Sequence, residues 1–311
     1  METSAPIAIT VLGGYLGAGK TTLLNRLLNQ SSGRRIGVIV NDFGELGVDA
    51  SSISSALGDV GEHGVPVINL ANGCVCCTLG DDLRSTIETL GSTEPRLDHI
   101  VIEASGVADP ASAAAWGTVP GFAPGGVVVL AAADSVVRSA RDRYVGSEVR
   151  RQLAGADLLV VTKCDLVDEA HRSRLLDWLK TVSTAPVVIA SHGLIPIDVV
   201  LGADRIPHAL LLDKGAGGSS VGYARWAAET GIIAEDRLRV FLERLSEKVL
   251  RAKGEVAVRL VSGEVVGYLV QVVGSTITVT RTPVPEQGGI EAIAVEQTFD
   301  AISLQALADD L

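Results

Sequence analysis

The sequence predicts an α/β protein: a mostly parallel sheet flanked by helices, followed by a small α+β domain. Three observations predict this. Over residues 1–200, short apolar β-branched runs alternate with helical stretches, the pattern of parallel strands joined by crossover helices. The first of these runs leads straight into a glycine-rich loop and a helix. Beyond residue 222 the pattern changes to one amphipathic helix and several alternating runs punctuated by glycine.

The first run, Ile7-Ala8-Ile9-Thr10-Val11-Leu12, reads as a buried parallel strand. Gly14-Tyr15-Leu16-Gly17-Ala18-Gly19-Lys20-Thr21-Thr22 follows and fits G-x-x-x-x-G-K-[ST] with every fixed position in register. From Thr22 to Asn29, apolar residues recur at helical spacing. Strand, glycine loop and helix together specify a P-loop NTPase domain. The glycines let backbone N–H groups converge on a triphosphate that also sits at a helix N-terminus. Gly14, Gly17, Ala18, Gly19, Lys20, Thr21 and Thr22 form the expected phosphate-binding set. Lys20 is expected to reach the β- and γ-phosphates, and the Thr21 hydroxyl to bind Mg²⁺.

Further strands are predicted at Ile36–Val40, Val67–Leu70, His99–Glu103, Val127–Ala131, Leu158–Thr162 and Val187–Ala190. Helices are predicted at Leu79–Leu90, Ala111–Gly117, Val136–Ala154 and Glu169–Thr181. Chemistry in such sheets collects at the carboxyl ends of the strands, and each remaining motif lies at one. The second strand ends in Asn41-Asp42-Phe43-Gly44-Glu45-Leu46-Gly47-Val48-Asp49, whose glycines and acids read either as a metal-facing switch segment or as a solvated loop. The third runs into Asn72-Gly73-Cys74-Val75-Cys76-Cys77-Thr78. Three thiols in four residues beside glycine suit Zn²⁺ or a comparable soft-ligand ion better than packing. Cys164, alone among apolar neighbours, reads as buried.

The fourth strand ends in Glu103-Ala104-Ser105-Gly106, an acid positioned to order Mg²⁺ or the attacking water, near a glycine able to approach a γ-phosphate. The sixth ends in Thr162-Lys163-Cys164-Asp165. There the carboxylate can accept from guanine N1–H and its 2-amino group, and the lysine stem can cover the base. Adenine presents the opposite pattern, so the tetrapeptide selects GTP over ATP. Ser191-His192-Gly193 follows the seventh strand, where a second base-contacting loop would lie, and His192 reads equally as a turn residue.

Composition excludes several classes. With 311 residues, 47% hydrophobic, the chain can bury a large core and a smaller one. A formal charge of −11 leaves no large basic surface for nucleic acid or an anionic membrane. No apolar run reaches the length of a spanning helix, and Met1-Glu2-Thr3-Ser4 lacks a basic signal region, so the expected compartment is the cytoplasm. Four cysteines, three of them clustered, do not make a disulfide framework.

The expected boundaries are a nucleotide domain over 1–202, a glycine- and serine-bearing linker over 203–222, and a second domain over 223–311. In the last, Glu235–Lys253 reads as one helix with Leu238, Phe241, Leu242, Leu245, Val249 and Leu250 on one face. Val256–Val261, Val265–Val273, Thr276–Arg281 and Ile290–Gln297 read as an antiparallel sheet, and Leu304–Leu311 as a terminal helix. This part carries no catalytic signature.

Taken together, the phosphate loop, Asn41-Asp42-Phe43-Gly44-Glu45, Asn72-Gly73-Cys74-Val75-Cys76-Cys77, Glu103-Ala104-Ser105-Gly106 and Thr162-Lys163-Cys164-Asp165 resemble the CobW family of metal-handling GTPases, relatives of the HypB and UreG nickel chaperones. Arg251-Ala252-Lys253-Gly254 is similar to the helix-to-strand joint of the CobW-type C-terminal domain. The resemblance implies a cytoplasmic GTPase whose catalytic residues are Lys20, Thr21 and Glu103, with Thr162, Lys163 and Asp165 at the base. It implies Zn²⁺ or Co²⁺ bound by Cys74, Cys76, Cys77 and Glu45, handed to a client metalloprotein, with a nucleotide- or metal-dependent homodimer as a possible form. Three departures from the family pattern stand out. Asp42 is one methylene shorter than the usual Glu, no histidine tract occurs around Asp213 to Ser220, and Asp134-Ser135-Val136-Val137 lacks the histidine of an Asp-x-x-His element. The same motifs admit two other readings, a redox-sensing GTPase using the cysteines and a P-loop phosphotransferase.

Overall fold

The computed structural model describes residues 6–29, 34–40, 67–69, 80–106, 109–190, 194–202 and 223–311. They fall into two compact units, Ile7–Ile197 and Asp198–Leu311. In the first unit, β1 (Ile7–Gly13), β2 (Ile36–Val40), β3 (Val67–Asn69), β4 (His99–Glu103), β5 (Phe122–Ala132), β6 (Leu158–Thr162) and β7 (Val187–Ile189) make one sheet in the order β3-β2-β4-β1-β5-β6-β7. Every pairing in it is parallel.

The strands read as continuous apolar runs because both faces are covered. Ile7, Ile9 and Val11 pack with Ile87 and Leu90 of the helix Gly80–Gly91, while the alternate residues Ala8, Thr10 and Leu12 are at most 1% exposed. Parallel pairing also fixes which strand ends are neighbours. Val40 pairs with both Asn69 and Glu103, and Glu103 pairs with Leu12. Asn69, Val40, Glu103 and Leu12 thus form one row across β3, β2, β4 and β1 at the carboxyl edge.

Two elements of this unit depart from the sequence expectation. β5 begins at Phe122 rather than Val127. Pro124-Gly125-Gly126, residue types that weaken a strand, is accommodated in it by a register shift opposite Ile9 to Val11, with Gly126 at φ +91°. The expected single helix Val136–Ala154 is two, Val136–Arg141 and Gly146–Ala154. Asp142 Oδ1 accepts from Tyr144 N at 2.8 Å and Val145 N at 3.2 Å, a local turn that competes with the helical bonds.

In the second unit, β8 (Tyr223–Thr230), β10 (Arg251–Arg259), β11 (Val265–Val273), β12 (Thr276–Thr282) and β13 (Gly288–Val295) form an antiparallel sheet in the order β12-β11-β10-β13-β8, and β9 (Ile232–Ala234) pairs parallel with β10. The helix Glu235–Ser246 lays Leu238, Phe241, Leu242 and Leu245 on this sheet, and Leu304 of the helix Ala301–Asp309 joins the same core. The amphipathic helix expected to reach Lys253 ends at Ser246, and Arg251-Ala252-Lys253-Gly254 lies within β10 rather than at the joint. Val249 and Leu250 stay buried, which preserved the helical apolar spacing, but the Leu250 amide donates to Ile293 O at 2.7 Å and so hands the chain to the sheet. The short helix Ile197–Leu201 is tied to this unit by the Asp198–Arg225 ion pair and by Arg251 donating to Val199 O at 3.5 Å. Among the described residues no helix is long and apolar enough to cross a membrane.

Phe241 is 3% exposed at the centre of the helix-on-sheet core. Phe241→Ala is expected to destabilise the second unit by about 3–5 kcal/mol, measured by urea denaturation; a loss below about 1 kcal/mol would show that the helix is not docked as described.

Candidate functional site

The chain leaves β1 and turns through Gly14, Gly17 and Gly19 at φ +131°, +76° and +96°. Only glycine holds such a path without strain. At Gly14 there is also no room, because a Cβ would lie 2.6 Å from Leu130 O of β5. Ala18 N donates to Tyr15 O at 3.0 Å, and Leu23 N to Gly19 O at 2.9 Å opens the helix Lys20–Asn29. Lys20 is buried and donates from Nζ to Gly14 O at 2.8 Å, closing the loop around its own ammonium group. Thr22, the last of the set, is exposed.

Two bonds connect this loop to neighbouring strand ends. Thr21 Oγ1 donates to Glu103 Oε1 at 2.9 Å, and Glu103 is 5% exposed at the end of β4. Thr162 Oγ1 at the end of β6 donates to Ala18 O at 2.8 Å. A third approach is steric: a Cβ on Gly106 would meet Leu16 N at 2.9 Å, so this glycine lies directly against the phosphate loop. The hydroxyl of Thr21 and the carboxylate of Glu103 are hard oxygen donors side by side, a set that fits Mg²⁺.

The loop expected to read the base follows β6. Lys163 holds φ +56°, and its Nζ lies 3.9 Å from Asp134 Oδ2, while Asp134 Oδ1 accepts from Ser135 Oγ at 2.9 Å. Asp165 is exposed next to it. Cys164 is half-buried rather than fully buried as the sequence suggests; burial pushes its thiol up, Arg172 opposes this, and Asp165 adds to it.

Residues 8–189 match the family described as "CobW/HypB/UreG, nucleotide-binding domain". The chain belongs to this family of P-loop GTPases. A Sinorhizobium protein named zinc chaperone CobW is 32% identical over 87% of this chain and 86% of its own length. A Pseudomonas aeruginosa protein of the same name is 32% identical over 65% of this chain and 61% of its length. The Escherichia coli zinc chaperone YjiA is 34% identical over 63% of this chain and 60% of its length.

Of the residues expected at a CobW-type site, the described structure brings together Gly14, Gly17, Ala18, Gly19, Lys20, Thr21, Glu103, Thr162 and Lys163. Glu45, Cys74, Cys76 and Cys77, with Asp42, Asp49 and His192, lie outside the described residues. Among those described, no three His, Cys, Asp or Glu cluster as metal ligands. Sequence reasoning missed two partners of the site. Asp134 was visible only as the start of an altered Asp-x-x-His element, yet it faces Lys163. Gln152 is 1% exposed, and its Nε2 donates to Gly106 O at 3.1 Å. The available signal was its place on the apolar face of the helix Gly146–Ala154, between buried Val149 and Leu153.

Gly14→Ala combines an unfavourable φ with a backbone clash and is expected to abolish nucleotide binding in equilibrium dialysis; binding within threefold of wild type would contradict the tight loop. Thr162→Val leaves Ala18 O without this donor in a buried setting. It should lower stability by about 1–3 kcal/mol and weaken GTP and GDP alike; an unchanged melting temperature and affinity would show that the brace is dispensable. Because its pKa is raised, Cys164 carries less thiolate at any given pH than a free cysteine. In a variant with Cys74, Cys76 and Cys77 replaced by serine, its alkylation should be slower at pH 7–8 than that of a free thiol and should accelerate as pH rises. Alkylation at the free-thiol rate would place Cys164 in water.

Proposed function

We propose that this chain hydrolyses GTP and uses the nucleotide cycle to bind and release a transition metal, Zn²⁺ or Co²⁺, which it passes to a client metalloprotein. One observation carries the reading: Asn69, Val40, Glu103 and Leu12 stand in a single row of paired strand ends. The segment with Glu45 leaves from the second of these, the cysteine loop from the first, and the phosphate loop from the fourth. At about 4.8 Å per strand, the whole row spans only about 14 Å. A metal held by Cys74, Cys76, Cys77 and Glu45 would draw its ligands from the two segments that follow β2 and β3, the strands paired in this row with the acid that the phosphate loop contacts. Relatives named zinc chaperones over most of their length support the metal half of the reading.

The residues divide the work by chemistry. Lys20 donates to Gly14 O; with nucleotide bound, the same ammonium would turn its donors to the β- and γ-phosphate oxygens and offset charge that develops there. Glu103 and Thr21 would hold Mg²⁺, which would supply positive charge to offset that of the phosphate oxygens. Glu103, buried beside the loop, would also orient the attacking water. Asp165 accepts from guanine's N1–H and 2-amino group, and Lys163 covers the base.

GTP is expected to bind in preference to ATP, and Asp165→Asn should cost about 1–3 kcal/mol of GTP affinity, because a donor would face guanine's donors. Lys20→Ala and Thr21→Ala should abolish hydrolysis without unfolding the protein. Glu103→Gln should bind GTP yet turn over poorly. Equal wild-type affinity for the two nucleotides, or wild-type hydrolysis by Glu103→Gln, would overturn the nucleotide half of the reading.

A further inference from the structure

Gly106 is held from two sides. Its α-carbon lies against the phosphate loop so closely that a Cβ would sit 2.9 Å from Leu16 N and 2.7 Å from Leu16 Cδ2. On the other side its carbonyl accepts from Gln152 Nε2 at 3.1 Å. That amide also donates to Glu148 Oε1 at 3.3 Å, one turn earlier on the helix Gly146–Ala154. Two oxygen acceptors facing the same atom fix which end of the amide is nitrogen. Gln152 is 1% exposed, so this donor has left water to make these bonds. The preceding residue on the helix also reaches the same stretch of chain: Arg151 Nη1 lies 3.9 Å from Asp109 Oδ2, three residues beyond Gly106.

We propose that Gln152 is a positioning residue for the γ-phosphate: by holding the Gly106 carbonyl it fixes the peptide that follows the strand-end acid against the phosphate loop. The proposal rests on the GTPase reading above and adds a residue to it. Gly106 stands three positions after Glu103, whose carboxylate takes the Thr21 hydroxyl, so it borders the end of the site where a third phosphate sits, not the diphosphate end. A group acting there changes the binding of a triphosphate and leaves a diphosphate unaffected. The helix that carries Gln152 leads into β6, so the same element joins the γ-phosphate side of the site to the loop that reads the base.

The test compares binding of GDP and of a non-hydrolysable GTP analogue by calorimetry, with Mg²⁺ present, for wild type, Gln152→Met and Glu148→Ala. Gln152→Met keeps the volume and removes the donor; Glu148→Ala keeps the donor and removes the partner that orients it. For Gln152→Met the expected result is about tenfold weaker binding of the analogue, the equivalent of one lost hydrogen bond, with GDP affinity within twofold of wild type. Glu148→Ala should give a smaller loss in the same direction. Equal weakening of both nucleotides, or no weakening of either, would overturn the role of Gln152. Should Gln152→Met fail to fold, Glu148→Ala decides by the same comparison. Failure of wild type to bind guanine nucleotides at all would instead overturn the GTPase reading, so the two failures are told apart.

Discussion

The hydrogen bond from Thr21 to Glu103 is the contact on which the nucleotide site depends. It joins the first turn of the helix after the phosphate loop to the end of the neighbouring parallel strand, and it is buried on the Glu103 side. A carboxylate can sit there because a hydroxyl donor meets it; without such a donor its burial would cost far more than the bond contributes. The bond is possible only because Leu12 and Glu103 are register partners, which puts the acid level with the start of the loop. The brace from Thr162 to Ala18 works in the same way from the opposite side. The phosphate loop is therefore held by two strands that are far from it in sequence, and its own lysine completes the closure.

Parallel strands impose a further constraint. Their connections must all return to the other edge, so each loop that follows a strand opens on the same side. Among the described residues of this chain, that edge carries the phosphate loop after β1, Glu103 at the end of β4 and the Lys163-Cys164-Asp165 turn after β6. The second unit carries no comparable set among the described residues. Its core is made by apolar residues of one helix on one sheet face.

The first unit was legible in the sequence because its signals are local. β2, β4 and β6 match their apolar runs residue for residue, and the loop motif needs only the consecutive positions from Gly14 to Thr21. What escaped was set by tertiary contact. Pro124-Gly125-Gly126 carries turn residues, yet β1 accepts it as strand through a shift of register. Tyr223–Thr230 shows no alternation of apolar and polar residues and is a strand because β13 pairs with it over its whole length. The end of the helix at Ser246 was hidden by apolar residues that continue the helical spacing while bonding to the sheet. At the site, the residues with motif positions were readable. The left-handed Lys163 and the Asp134 beside it were not, because neither a φ angle nor a partner from another strand leaves a local pattern.

In the function we propose, coupling between nucleotide and metal would follow from segments that leave adjacent strand ends. A γ-phosphate that ordered the Glu45 segment would change how many ligands face a metal, and each ligand's affinity would then depend on the other by the same factor. Thiolate ligands would also make metal binding weaken as pH falls and protons compete for sulfur. The most direct measurement is metal titration of the protein loaded with GDP and with a non-hydrolysable GTP analogue, repeated on Cys76→Ser/Cys77→Ser. A coupled site predicts affinities that differ by roughly 5- to 150-fold between the two states, the range of typical allosteric coupling, and loss of the high-affinity site in the double variant. Identical affinities in both nucleotide states would contradict it and leave a GTPase with an incidental metal site.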